Sequence, residues 1–195
     1  MSYRYRNPGL GAVAYIIITC IVLWVASSIS SGFFDALTLS RSTLAQQPWS
    51  LVTSMFLHER FPIFTHILFN MLTLYFFGTF LVNLVGDRVF LLVYFICGIV
   101  GNILFLLLAP SFASVVGASG AIFGIGGALM VMRPRLQVYV FPIPAPIPLW
   151  VSVIGGFVLT FFAANVAWEA HVGGLVAGVL AGFILRRREF SRFWH

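Results

Sequence analysis

Ser119 stands in the run Gly117-Ala118-Ser119-Gly120, inside a stretch from Val89 to Met132 that carries no charge. His66 and Asn70 fall in a second apolar run, Thr65-His66-Ile67-Leu68-Phe69-Asn70, and His171 in a third, Ala170-His171-Val172-Gly173-Gly174. Serine is a weak nucleophile until a neighbouring base takes its proton, and imidazole is the usual base. N–H groups of imidazole, carboxamide and backbone can donate to an oxyanion. These residue types fit nucleophilic acyl transfer, with peptide-bond hydrolysis as the expected reaction, provided that three distant segments bring them together.

The elements that must do so are membrane helices. The chain of 195 residues is 61% hydrophobic and 8% charged, with a mean hydropathy of +1.03, so it has too little polar surface to cover a soluble globule. Cys20 and Cys97 both lie in apolar helical runs and read as packing residues, not as a disulfide framework. The net charge of +6 comes entirely from arginine, and in this context it sets membrane orientation and does not call for nucleic acid.

Six spans are expected, at about 11–29, 64–84, 89–108, 115–132, 149–165 and 167–185. The first follows Arg4 and Arg6 and is long for a signal sequence, so it reads as an uncleaved anchor. Gly86-Asp87-Arg88 ends the second span, Pro110 the third and Arg133-Pro134-Arg135 the fourth. Pro142, Pro144, Pro146 and Pro148 alternate in a linker that cannot be helical. The expected fold class is an all-α membrane protein, a six-transmembrane-helix bundle forming a single domain over residues 1–195. A long loop, 30–63, joins the first two spans, and its Phe33, Phe34, Trp49, Phe56 and Phe61 suggest that it lies in the interface.

Arginine counting orients the bundle. With the N-terminus in the cytoplasm, Arg4, Arg6, Arg88, Arg133, Arg135, Arg186, Arg187, Arg188 and Arg192 are cytoplasmic and only Arg41 and Arg60 are external. Both termini are then cytoplasmic, and the second, fourth and sixth spans all start at the external face. His66 and Asn70 lie in the first two turns of the second span, and Ser119 and His171 about four residues into the fourth and sixth. At 1.5 Å rise per residue all are roughly 3–10 Å below the external helix ends.

The expected faces agree with the depths. His66 and Asn70 are four apart and share a side of their helix. Ser119 shares a face with Phe123, Gly126 and Gly127, and His171 with Gly174, Gly178 and Gly182. Small residues at this spacing let helices approach closely in lipid. His171 is therefore the expected base, and Phe123 is placed to hold its ring by stacking. Glu169, two positions away, points elsewhere on a helix, which leaves a Ser–His dyad instead of a triad. His66, Asn70 and the Ser119 N–H are the expected oxyanion donors, so that the active site opens to the external face.

Taken singly, each feature has a plainer explanation. A Gly/Ser cluster in a membrane helix is ordinarily packing, and Asn70 could be inter-helical glue. Intramembrane histidines also serve transport or cofactor binding, but a transporter or channel needs more charge than Asp87, Glu169 and Glu189, all at span ends. Gly124-Ile125-Gly126-Gly127 lacks the strand–turn–helix context of a dinucleotide loop. Ala121 breaks the GxSxG elbow, and in His58-Glu59 Pro62 replaces the second histidine of a zinc motif. No cofactor or metal is expected.

The motifs, in order, are Trp49-Ser50-Leu51-Val52-Thr53-Ser54-Met55-Phe56-Leu57-His58, His66-Ile67-Leu68-Phe69-Asn70-Met71, Gly117-Ala118-Ser119-Gly120, and Ala170-His171-Val172-Gly173-Gly174 with Gly178. The last two match the GxSG and AHxxGxxxG signatures, and nearly the whole chain resembles a rhomboid intramembrane serine protease of the six-helix type found in bacteria and archaea. The resemblance implies Ser119 as nucleophile, His171 as base, and His66 with Asn70 in the oxyanion site, with Gly117 supporting it. It implies transmembrane protein substrates cut in or beside their spans, and a multi-pass home in the cell membrane. Two positions depart from the family pattern: Ser50 follows Trp49 where arginine is common, and Asn83 stands where an acid is common. The rival reading is a non-proteolytic rhomboid-like factor that binds membrane proteins; such relatives lack the serine or the histidine, and both are present here.

Overall fold

The structure is a computed structural model that describes residues 11–140, 144–162 and 166–192, with side chains as far as residue 187. Arg4, Arg6, Pro142 and the Asn165 end of the fifth expected span lie outside the described residues. The main helices are α1 (Ala12–Ile29), α4 (Thr65–Val85), α5 (Asp87–Leu108), α6 (Ser119–Met132), α7 (Leu149–Thr160) and α8 (Trp168–Arg192). Four of them, α1, α4, α5 and α8, are long and apolar enough to cross a membrane, whereas α6 and α7 are shorter. Their outward faces are apolar: Leu68, Phe69, Leu72, Tyr75 and Phe76 on α4 and Val176, Leu180, Phe183 and Ile184 on α8 are all exposed, as a lipid-facing surface requires.

The loop between α1 and α4 is ordered. It contains the short helices α2 (Ser31–Leu37) and α3 (Ser50–Thr53), a two-residue strand β1 (Leu39–Ser40) and a 3-10 turn at Ser54–Phe56. β1 pairs antiparallel with β2 (Ser114–Val115), Leu39 opposite Val115. This pairing corrects one expected boundary. Residues 114–118 do not continue the fourth span upward; they are strand and turn, and α6 begins at Ser119 itself. A second small hairpin, β3 (Gln137–Val138) with β4 (Ile147–Pro148), links α6 to α7. At the other end of the chain, α8 runs to Arg192, beyond the Leu185 expected from hydropathy.

Glycines set how the core helices meet. A methyl group on Gly174 would overlap the Gly120 carbonyl, one on Gly178 the Gly124 carbonyl, and one on Gly182 would come 2.8 Å from the Ala128 oxygen. The three pairs advance together along both helices, so α6 and α8 run parallel with their backbones in contact. α5 packs antiparallel beside them: a Cβ on Gly101 would lie 2.5 Å from the Ala170 oxygen. The expected glycine face of α6 is revised accordingly. Gly120, Gly124 and Gly127 meet α8, whereas Gly126 faces Val153 of α7 and Phe77 of α4. The parallel pair, wedged by α5, fixes the relative positions of everything at the starts of α6 and α8.

Candidate functional site

Ser119 is the first residue of α6 and His171 the fourth of α8. The two helix starts lie level because Gly174, three residues after His171, seats on Gly120, one residue after Ser119. The outcome is a hydrogen bond of 2.7 Å between Ser119 Oγ and His171 Nε2. His171 is buried, and its other nitrogen, Nδ1, has no hydrogen-bond partner. The ring is instead held by Phe123, with centroids 4.7 Å apart and planes at 40°. Phe123 is in turn braced edge-on by Phe157 of α7, centroids 6.0 Å apart.

Helix α4 brings the other pair. Gly117 has φ of +130°, a region that side chains avoid, and a Cβ there would sit 3.0 Å from His66 Nε2 and 3.5 Å from Ser119 Oγ. The missing side chain therefore leaves a space about one atom wide bounded by an imidazole nitrogen and the serine hydroxyl. The first-turn N–H groups of α6, Ser119 included, have no intrahelical carbonyl to bond, and the positive end of the helix dipole lies there too. Together these make the neighbourhood of Gly117 a place for a partly negative oxygen. Asn70 donates from Nδ2 to the His66 carbonyl at 2.8 Å; one amide hydrogen is thus committed and the second is left for a ligand. Its Oδ1 is buried without a partner.

Several interactions that hold this arrangement were not expected from the sequence. The N–H of Gly117 donates to the Ser54 carbonyl at 2.9 Å, tying the serine turn to the loop between α1 and α4. Asn102, buried on α5, donates to Leu51 O at 2.8 Å and Ser54 Oγ at 3.0 Å. Tyr94 OH donates to Met55 O at 3.2 Å. The Arg41 guanidinium caps the end of α5, donating to the carbonyls of Leu106 and Ala109. A lone asparagine in the charge-free Val89–Met132 stretch was the available signal for Asn102. His58 is fully buried with both ring nitrogens unpartnered, and its ring lies edge-on to His66 with centroids 5.2 Å apart. Burial, and then the neighbouring His66, push His58 down to about 3, so its ring is neutral at any working pH. Among the described residues no three His, Cys, Asp or Glu side chains gather to hold a metal ion.

The rhomboid domain family matches residues 45–188, a span that takes in every residue of this site. The chain belongs to the rhomboid family. It is similar to the putative rhomboid protease YdcA of Bacillus subtilis, 29% identical over 189 residues that cover 93% of this chain and 92% of the relative. Rhomboid protein 1, mitochondrial, of Saccharomyces cerevisiae is 32% identical over 149 residues, 71% of this chain and 42% of that protein. Rhomboid protease GluP of Bacillus subtilis is 32% identical over 173 residues, 85% of this chain and 33% of the relative. The chain thus spans less than half of the yeast protein and of GluP but nearly all of YdcA. As a rhomboid with four long apolar helices, it is a multi-pass membrane protein in contact with lipid on its outer faces.

Proposed function

We propose that this rhomboid is an intramembrane serine endopeptidase that cuts transmembrane proteins in or beside their spans. The observation that carries the reading is the 2.7 Å contact between Ser119 Oγ and His171 Nε2, residues 52 apart in sequence on two helices. Ser119 Oγ attacks the scissile carbonyl while His171 Nε2 takes its proton. The developing oxyanion settles beside Gly117, where the Ser119 N–H, His66 Nε2 and the free Asn70 amide hydrogen donate to it. The protonated His171 then gives its proton to the leaving amine, which leaves an acyl-enzyme ester. Water, deprotonated by the same imidazole, hydrolyses the ester and returns Ser119 to its starting state. Without a carboxylate at Nδ1, orientation of the base falls to Phe123 and to the close packing of α8.

Membrane placement supports the same reading. The arginine distribution puts the starts of α4, α6 and α8, and with them the site, toward the external face, with both termini cytoplasmic. A peptide bond in an intact helix is shielded, and unwinding it in lipid leaves polar groups unsatisfied at several kcal/mol each. A shallow site open to external water relieves that penalty. The test is cleavage of a model transmembrane substrate in proteoliposomes by wild type, Ser119→Ala, His171→Ala and the double variant. Both single variants should be inactive and the double no worse, because the two groups act in one step. Cleavage by purified Ser119→Ala at a wild-type rate would sink the serine mechanism, and a folded wild-type protein that binds such substrates without cutting any would favour the non-proteolytic reading.

A further inference from the structure

His66 turns one nitrogen to the site and the other to the external loop. Nε2 borders the space over Gly117. Nδ1 lies 3.5 Å from Glu59 Oε2 and 3.5 Å from the Glu59 backbone N–H. Glu59 itself is fixed from α1: Trp24 Nε1 donates to its carbonyl at 2.8 Å, and Ser28 Oγ accepts the Phe61 N–H at 3.1 Å. The external end of α1 therefore places a carboxylate against the back of the ring whose front faces the reacting atoms.

Once the oxyanion forms, the ring meets an acceptor at Nε2. At Nδ1 it meets both the Glu59 carboxylate and the Glu59 backbone N–H, which donates to it at 3.5 Å. A proton on each nitrogen serves the two anionic acceptors at the expense of that long contact. A bare Nδ1 would turn its lone pair on the carboxylate. A bare Nε2 would turn one on the oxyanion. The long contact from the Glu59 N–H also favours the proton on Nε2, but as a neutral donor. We propose that Glu59 is a positioning residue that keeps His66 doubly protonated as the oxyanion forms, so that Nε2–H becomes a charge-assisted donor. The inference rests on the serine-protease reading above and adds the charge state of one donor. The proton comes from solvent, which reaches the pair because Glu59 is 44% exposed and His66 25%. Ring cations donate more strongly than neutral rings, by about a factor of two in energy.

The other charged or titratable groups around His66 leave this role to Glu59. His58, from the preceding loop, is buried and neutral. Arg60 sits with its guanidinium over the Phe34 ring, 5.2 Å from the centroid. His171, on α8, is bonded to Ser119. A half-exposed ion pair also contributes little to folding, so removing the carboxylate perturbs the reaction without unfolding the chain.

The experiment compares wild type, Glu59→Gln, Trp24→Phe and Ser119→Ala in proteoliposomes, with kcat and KM measured across pH. Glu59→Gln should lower kcat roughly tenfold, a fraction of the 10²–10³ associated with losing a whole oxyanion donor, and leave KM unchanged. Its decline in kcat on the alkaline side should begin at a lower pH than in wild type. Trp24→Phe should show a smaller loss of the same kind. A Glu59→Gln enzyme with wild-type kcat and pH profile overturns the proposal while leaving the serine reading intact. Cleavage by Ser119→Ala overturns the serine reading instead. A second measurement needs no variant at position 59: nitrogen-15 NMR of wild type inhibited with a phosphonate, whose anionic oxygen occupies the oxyanion position, should show both His66 nitrogens protonated. One bare nitrogen in that complex would also overturn the proposal.

Discussion

Gly174→Ala tests whether the glycine seam between α6 and α8 sets the geometry of catalysis. An added methyl would sit 2.7 Å from the Gly120 carbonyl carbon and nearer still to its oxygen, where ordinary contact begins at 3.4 Å. Both partners are backbone, so no side chain can swing aside and the helices must separate or slide by roughly 1 Å. Gly120 adjoins Ser119, and Gly174 is within one turn of His171, so the displacement falls on the 2.7 Å Oγ···Nε2 bond. A stretch of that size takes the pair past hydrogen-bond range. Misplacement of about 1 Å is enough for a loss of about 10² in rate. The assay is kcat for a fluorogenic transmembrane peptide in proteoliposomes, with labelling of Ser119 by a fluorophosphonate as a check on nucleophilicity. Gly182→Ala is the control. Its methyl would also be too close, 2.8 Å from Ala128 O, but it lies eleven residues beyond His171, about 16 Å along the helix. It should lower thermal stability and leave kcat within a few-fold. A folded Gly174→Ala protein that cleaves and labels at wild-type rates would show that the seam does not govern the site.

Other outcomes are expected from the same geometry. His66→Ala and Asn70→Ala should each slow cleavage by about 10²-fold without abolishing it; an inactive His66→Ala beside an active His171→Ala would exchange the two histidines' roles. EDTA should leave cleavage unchanged, and inhibition by it would point to another mechanism. His58, ordinarily near 6.5 but held at about 3 in the fold, binds a proton in the unfolded chain before it can in the native one. Stability from this ring is therefore complete above pH 6.5 and is lost as pH falls toward 3, by about 2 kcal/mol between pH 6.5 and 5. Unfolding in detergent at several pH values should show this slope, and His58→Gln should lack it. In a model substrate, replacing glycines near the external end of the span by leucine should reduce cleavage far more than changes in its cytoplasmic half. Equal cutting of a polyleucine span would show that helix instability is not what selects the bond.

Long uncharged runs made α1, α4, α5 and the start of α8 legible to within a few residues, because burying a backbone in lipid demands helix. The start of α6 was not legible in the same way. Ser114-Val115-Val116-Gly117-Ala118 is as apolar as a helix turn, and only its distant partner Leu39 makes part of it a strand. Helical periodicity correctly brought Ser119, Phe123 and His171 to adjoining surfaces, yet it put Gly126 on the wrong side and passed over Gly120 and Gly124. A window of four glycines in eight residues offers several faces, and only the partner helix chooses among them. Asn102 and Tyr94 act by reaching the α1–α4 loop from α5, and Glu59 reaches α4 from that loop, pairings that no local pattern encodes.

Helix α6 is 14 residues long, with ten of them buried, and spans only about 21 Å against a hydrocarbon thickness of about 30 Å. Hydrophobic mismatch is felt by surfaces that touch lipid, and α6 has little such surface. Its neighbours tilt or bend the bilayer to suit themselves, while the depth of the serine is fixed by the protein seam and the β1–β2 pair above it. A single-pass helix entering the same membrane has no such shelter and must adjust to every change of acyl-chain length. Thicker or thinner bilayers should therefore slide such a helix past a stationary hydroxyl, so that lipid composition selects which of its peptide bonds arrives at the site.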